Sequence, residues 1–220
     1  LAGEAGMTRQ AFNLRQLRLT RPGRRGTVTG GGTVTLTARE PLVELQIKAA
    51  GLDLTPEIKV STDLSGTLTL TGTPERYRGE FAIVNTGKGW RTARLSGAYQ
   101  GDGTGVKLAP LTGVLLAGSV QGNLDVGWRE EFSLNGTIRG RNLNPAGISP
   151  DWAGVVNFDL TGSGAWPKQA PPRGEVSGSL LETRLHGQAL TGEFRANLES
   201  GELHVGRLLL QGKGFSINAA

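Results

Sequence analysis

The feature that most limits what this chain can fold into is a strict alternation of apolar and polar residues. It runs through Thr33-Val34-Thr35-Leu36-Thr37, Val43-Glu44-Leu45-Gln46-Ile47-Lys48 and Thr67-Leu68-Thr69-Leu70-Thr71. It returns in Asn157-Phe158-Asp159-Leu160, Phe194-Arg195-Ala196-Asn197-Leu198 and Phe215-Ser216-Ile217. Successive side chains of a strand point to opposite faces, so a period of two gives each segment one apolar and one polar face. Thr, Val, Ile and Phe suit that pleated setting. No comparable stretch carries a helical period. The segment 141–152 is broken by Pro145 and Pro150 and is expected to hold at most one short helical turn.

Turn chemistry punctuates the strands at intervals of about 8–14 residues. Pro22-Gly23, Gly30-Gly31-Gly32, Gly87-Lys88-Gly89, Gly101-Asp102-Gly103, Glu199-Ser200-Gly201 and Gly212-Lys213-Gly214 are the signals. Glycine numbers 35 of 220 residues, well above the usual share, which fits a chain of many close turns. The pattern predicts an all-β antiparallel meander of roughly 14–18 strands. It is expected to form one elongated repetitive segment over residues 1–220, beginning at Leu1 and ending at Ile217-Asn218-Ala219-Ala220 inside a strand pattern, as in a piece of a longer chain.

Within that segment a unit of roughly 90 residues recurs, over about 43–100 and 132–198. Gly51-Leu52-Asp53-Leu54-Thr55-Pro56 aligns with Gly140-Arg141-Asn142-Leu143-Asn144-Pro145, and Asp63 with Asp151. Arg78-Gly79-Glu80-Phe81 then aligns with Arg173-Gly174-Glu175-Val176. A repeat of this kind reproduces structure, so the paired aspartates are expected in a shared turn or cap role.

Charge excludes a nucleic-acid track. The net +5 comes from Arg9, Arg15, Arg18, Arg21, Arg24 and Arg25 against Glu4 in the first 30 residues; the rest balances 18 basic against 18 acidic groups. Binding along phosphates needs cations distributed along the surface, so the arginines are expected on a solvated face or loop. The chain has no cysteine, and no run of about 18 apolar residues that would span a membrane as a helix.

No catalytic or metal constellation stands out, and no cofactor is expected. Gly101-Asp102-Gly103-Thr104-Gly105 lacks the Lys-Ser/Thr continuation and helix of a phosphate loop. His186 and His204 are too few for a metal site. Ser61, Ser65, Ser96 and Ser177 lack a nucleophile-elbow context. Asn135-Gly136-Thr137 is only a formal sequon.

One-sided strands must cover or use their apolar face. Twelve aromatics, with Trp90, Trp128, Trp152 and Trp166 near loops, do not form the girdles of a membrane barrel. The repeat is too long for a parallel β-helix, and the strands too many for one immunoglobulin-like sandwich. The remaining solution is a sheet bent into an open U-shaped trough with an apolar interior, suited to acyl chains. The inner-face residues are Val34, Leu36, Leu45, Ile47, Leu68, Leu70, Phe81 and Ile83, then Leu124, Val126, Phe158, Leu160, Phe194, Leu198, Leu208 and Leu210. A slip of one residue would turn a whole strand over, so each strand's set stands together.

Three stretches carry a family likeness: Gly136-Thr137-Ile138-Arg139-Gly140-Arg141-Asn142-Leu143-Asn144-Pro145, Leu185-His186-Gly187-Gln188-Ala189-Leu190-Thr191-Gly192-Glu193-Phe194 and Gly201-Glu202-Leu203-His204-Val205-Gly206-Arg207-Leu208-Leu209-Leu210-Gln211-Gly212. In style and spacing the chain resembles the TamB branch of the AsmA-like envelope proteins. The resemblance implies a bent β-sheet ("β-taco") crossing the periplasm of a Gram-negative bacterium, anchored in the inner membrane by a segment outside this chain. It further implies phospholipid transport between the membranes, outer-membrane protein assembly, and a TamA-like barrel partner met through regions outside this chain. Rival readings are a secreted β-solenoid passenger domain, which requires parallel strands and a filled interior, and a chaperone that pairs an edge strand with client β-strands.

Overall fold

The computed structural model describes residues 2–219 apart from 8–9, 21–22, 24, 38–39, 55–61 and 87–91. Arg9, Arg21, Pro22, Arg24, Thr55-Pro56, Ser61, the Gly87-Lys88-Gly89 turn and Trp90 lie outside the described residues. Two compact units divide the chain, Leu1–Gly103 and Thr104–Ala220.

The first unit holds β1 (Ala2–Met7), β2 (Ala11–Thr20), β3 (Thr27–Leu36), β4 (Pro41–Leu52), β5 (Leu64–Thr73), β6 (Arg76–Asn85) and β7 (Ala93–Asp102). The second holds β8 (Gly105–Leu115), β9 (Gly118–Gly127), β10 (Phe132–Leu143), β11 (Gly154–Trp166), β12 (Arg173–Leu185), β13 (Gln188–Glu199), β14 (Glu202–Gly212) and β15 (Phe215–Ala219). Within each unit every strand pairs antiparallel with its chain neighbours, and the first and last strands do not meet. The fold is therefore the expected all-β, open antiparallel meander. Antiparallel pairing throughout overturns the β-solenoid reading, which needed parallel strands.

One helical turn was expected over residues 141–152, and the structure differs. Arg141–Leu143 complete β10, and two 3-10 turns follow at Pro145–Gly147 and Pro150–Trp152. Proline's fixed φ and missing N–H favour the start of such a turn, and the Asn144 side chain accepts from Ala146 N–H (3.1 Å).

Register explains how the strands lie side by side. In the first unit Leu45 has Gly32 on β3 and Leu70 on β5, while Ile47 has Gly30 and Leu68. In the second, Phe158 has Gly140 on β10 and Leu180 on β12, and Phe194 has Gly178 on β12 and Leu208 on β14. Strands sit about 4.8 Å apart, too close for large side chains in every place of a row. Glycine supplies the missing room. A Cβ on Gly140 would lie 2.5 Å from the Phe158 ring, and one on Gly178 2.7 Å from the Phe194 ring.

β-Bulges interrupt the ladders at matching places. Between Ala49 and Leu52, Gly51 turns left-handed (φ +60°) and donates its N–H to Ser65 Oγ at 3.0 Å. Between Gly140 and Leu143, Asn142 does the same (φ +55°) and donates to Asn157 Oδ1 at 2.7 Å. Gly51 thus corresponds to Asn142, two residues along from the alignment that the sequence suggested. The reason is conformational: glycine and asparagine both tolerate the left-handed region. The aspartates do not correspond either. Asp63 accepts from the Thr86 hydroxyl (2.7 Å), whereas Asp151 lies in an exposed 3-10 turn.

Among the described residues only Leu111, Leu143 and Ala196 are buried hydrophobics, all in the second unit. The most enclosed side chain is Thr183, 1% exposed at the β12 bulge. Its hydroxyl accepts from Asn157 N–H (3.1 Å) and has Leu181 O (2.9 Å) within reach of its proton. Thr183→Val keeps the shape but strands that N–H, and should lower unfolding free energy by about 1–3 kcal/mol, read as a lower denaturant midpoint at unchanged slope. Gly178→Val, driven into the Phe194 ring, should cost about 1–3 kcal/mol in the same assay.

Candidate functional site

The register puts every predicted inner-face residue of the first unit on one face. Leu36 and Val34 pair with Pro41 and Val43; Leu45 and Ile47 pair with Leu70 and Leu68; Phe81 and Ile83 pair with Leu68 and Gly66. The second unit does likewise. Leu124 and Val126 share rows with Gly136 and Leu134, Phe158 and Leu160 with Gly140 and Ile138, and Phe194, Leu198, Leu208 and Leu210 with Gly178, Gly174, Phe194 and Gly192.

Exposure separates the two faces. Along β4, Val43, Leu45, Ile47 and Ala49 are half-buried while Glu44, Gln46 and Lys48 are exposed; β5 repeats this with Leu68 and Leu70 against Thr67, Thr69 and Thr71. Nothing among the described residues packs a second layer over the apolar face. Leu36 is 53% exposed, Ile83 40% and Leu203 67%. Each unit therefore presents a continuous, half-wetted apolar face, an arrangement that ordinarily marks a binding surface.

Some of that face was missed from sequence. Leu14 and Leu17 of β2 both belong to it, yet they are three apart because Arg15 and Gln16 form a bulge opposite Gly31. Leu108 and Leu111 of β8 straddle another irregularity. Ile138 stands between Gly136 and Gly140, and Val176 between Gly174 and Gly178, so neither had an apolar residue two places away along its own strand. Phe132 and Trp166 pair across β10 and β11, ring centroids 5.5 Å apart and tilted by 56°. Tyr77 and Tyr99 approach to 6.4 Å, and Tyr99 Oη donates to Thr69 O at 2.7 Å. Burial holds both phenols above their usual pKa, with Asp102 adding to the effect at Tyr77 and Tyr77 adding to it at Tyr99.

The polar face carries the charges and the concavities. In the second unit ion pairs dominate it: Arg141–Asp159 (2.6 Å), Arg207–Glu193 (3.4 Å), Arg195–Glu175 (3.5 Å) and Lys107–Asp125 (3.7 Å) run between strands, and Arg173 of β12 meets Glu131 in the loop before β10 (2.6 Å). Cavities of about 740 and 610 Å³ open between them. A cavity of about 1060 Å³ opens on the polar face of the first unit, where Arg15 and Arg18 lie exposed.

The remaining sequence candidates stay apart. His186 sits in the turn before β13, and His204 on β14 is 3.9 Å from Glu202. Ser65 caps a bulge, Ser96 and Ser177 are exposed strand residues, and Gly101–Gly105 is strand and turn. The sequon Asn135-Gly136-Thr137 lies within β10. No group of three or more His, Cys, Asp or Glu among the described residues could hold a metal ion. No helix among them is long and apolar enough to cross a membrane.

Comparison with known proteins adds one finding. The family described as TamB, N-terminal domain, matches residues 43–211, from β4 almost to the end of β14. No curated protein and no solved structure matches the chain. The matched span takes in most of both open meanders, and with it the chain belongs to the TamB family of Gram-negative cell-envelope proteins.

Proposed function

We propose that this chain is a periplasmic segment whose apolar face binds phospholipid acyl chains and supports phospholipid transport between the inner and outer membranes, together with outer-membrane protein assembly. The observation that carries this reading is the uncovered face itself: rows of Leu, Ile, Val and Phe on an open sheet, with three buried hydrophobics among the described residues. Family membership supports the envelope setting. Transfer of each methylene from water to such a surface yields about 0.8 kcal/mol when burial is complete, so a half-buried chain is still held. Successive strands repeat the same chemistry every 4.8 Å or so. A chain shifted by one strand meets nearly the same environment, which allows movement without a deep trap.

Photocrosslinking in cells tests this. Probes at Leu70 and Leu160 should capture phospholipid, while probes at Thr67 and Ser177, exposed on the polar face, should not. Thr69 and Asp159 are poorer references, since Thr69 accepts from Glu80 N–H and Asp159 pairs with Arg141. Capture of outer-membrane protein strands in place of lipid would favour the strand-pairing chaperone.

Leu70→Asp and Leu160→Arg place a charge in the middle of the face. Each should reduce lipid transfer by about tenfold or more while leaving the β-sheet circular dichroism intact, because a desolvated unpaired charge costs several kcal/mol. Full transfer by folded Leu70→Asp protein would rule the face out as the path.

A further inference from the structure

On the polar face of the first unit, the sheet makes a pit. Three rows cross β2, β3 and β4. Arg18, Thr29 and Lys48 form one row, and Asn13, Thr33 and Glu44 another. In the row between them the β2 bulge presents Arg15 and Gln16, β4 presents Gln46, and the central place belongs to Gly31. The centre of the array therefore has no side chain. The concavity of about 1060 Å³ is lined by these residues other than Asn13 and continues over the threonines of β5.

The charges around the pit set it apart. Arg15, Arg18 and Lys48 form no ion pair among the described residues, whereas the cations lining the second unit's concavities are neutralised, Arg141 by Asp159 and Arg195 by Glu175. Among the described residues that line the pit, these three cations face one carboxylate, Glu44, while the register sets Glu4 of β1 opposite Gln16 at its edge. The neutral groups are committed in a useful sense. The Thr29 hydroxyl donates to Lys48 O (3.4 Å) and the Thr33 hydroxyl to Asn13 Oδ1 (3.0 Å), which leaves their oxygens free to accept.

We propose that this pit binds a phosphorylated polyol, a glycerol or sugar phosphate, either free or as the headgroup of an anionic lipid. Arg15, Arg18 and Lys48 take the phosphate, because charge-assisted bonds from guanidinium and ammonium groups are the strong ones. Thr29, Thr33 and Glu44 accept from the ligand's hydroxyls, and Gln16 and Gln46 can both donate and accept. Glu44 also gives selectivity. It repels a bare phosphate placed near it and favours a ligand whose hydroxyls reach that wall. The site lies on the face opposite the acyl-binding rows and stands whether or not those rows carry lipid.

The test uses the full chain, with glycerol phosphate, inorganic phosphate and vesicles of phosphatidylglycerol or phosphatidylcholine as probes in calorimetry and flotation. The variants are Arg18→Gln/Lys48→Gln and, as a reference removing equal charge from the second unit, Arg195→Gln/Arg207→Gln. Glycerol phosphate should bind more tightly than inorganic phosphate, and the first double variant should weaken it by at least about tenfold while the reference does not. Binding to phosphatidylglycerol vesicles alone, with the same dependence on Arg18 and Lys48, would support the site and name the lipid headgroup as its source. Equal weakening by both double variants, equal affinity for inorganic phosphate, or binding of none of the probes would overturn it.

Discussion

The antiparallel backbone ladder holds this structure, because the usual alternative, a closed core, is nearly absent. Three buried hydrophobics among the described residues cannot organise a chain of this length. What keeps Leu45, Ile47, Leu68 and Leu70 in place is the run of hydrogen bonds between their strands and the contacts each makes along its row. The glycines belong to the same economy of space. Where Gly32 or Gly178 faces a large residue, backbone and side chain can approach closely enough for the row to pack without a second layer. A covering layer would stabilise the sheet further and remove the surface it presents.

Strand existence, antiparallel order and the membership of the apolar face were legible because each follows from a period of two. The turn at Glu199-Ser200-Gly201 and the face shared by Phe194, Leu198, Leu208 and Leu210 could be read directly from residue type. What could not be read is where the period breaks. A bulge adds one residue to one strand and reverses parity beyond it. Arg15 and Gln16 therefore hid Leu17 from a search for alternation, and the irregularity after Leu108 hid Leu111. Bulges depend on a partner strand, which sequence alone does not identify. The repeat suffered similarly: identical glycines suggested pairing Gly51 with Gly140, while the shared left-handed backbone pairs it with Asn142.

Those bulges also divide the labour between the faces. At Ala49–Leu52 and at Gly140–Leu143 the left-handed residue donates its N–H to a side chain of the next strand, Ser65 or Asn157. The backbone groups freed by the irregularity are thus satisfied locally, and the apolar rows on either side continue undisturbed. At β2 the bulge does something else. It pushes Arg15 and Gln16 out on the polar side opposite a glycine, converting a flat surface into a concave one.

A one-sided sheet of this kind separates two sorts of recognition. On the apolar face the rows repeat, so affinity is shared among many equivalent places and no single residue defines a site. On the polar face position matters, because charge and hydrogen bonding fall off within a few ångströms and depend on which cations are already paired. The second unit spends its polar-face charges on cross-strand pairs such as Arg207–Glu193, which leaves little field for a ligand. In the first unit the row Arg18–Thr29–Lys48 holds two cations and no carboxylate, and Glu44, the carboxylate among the described lining residues, stands two rows away. A concavity there keeps its field. Selective binding on an otherwise repetitive sheet is therefore expected where the pairing lapses.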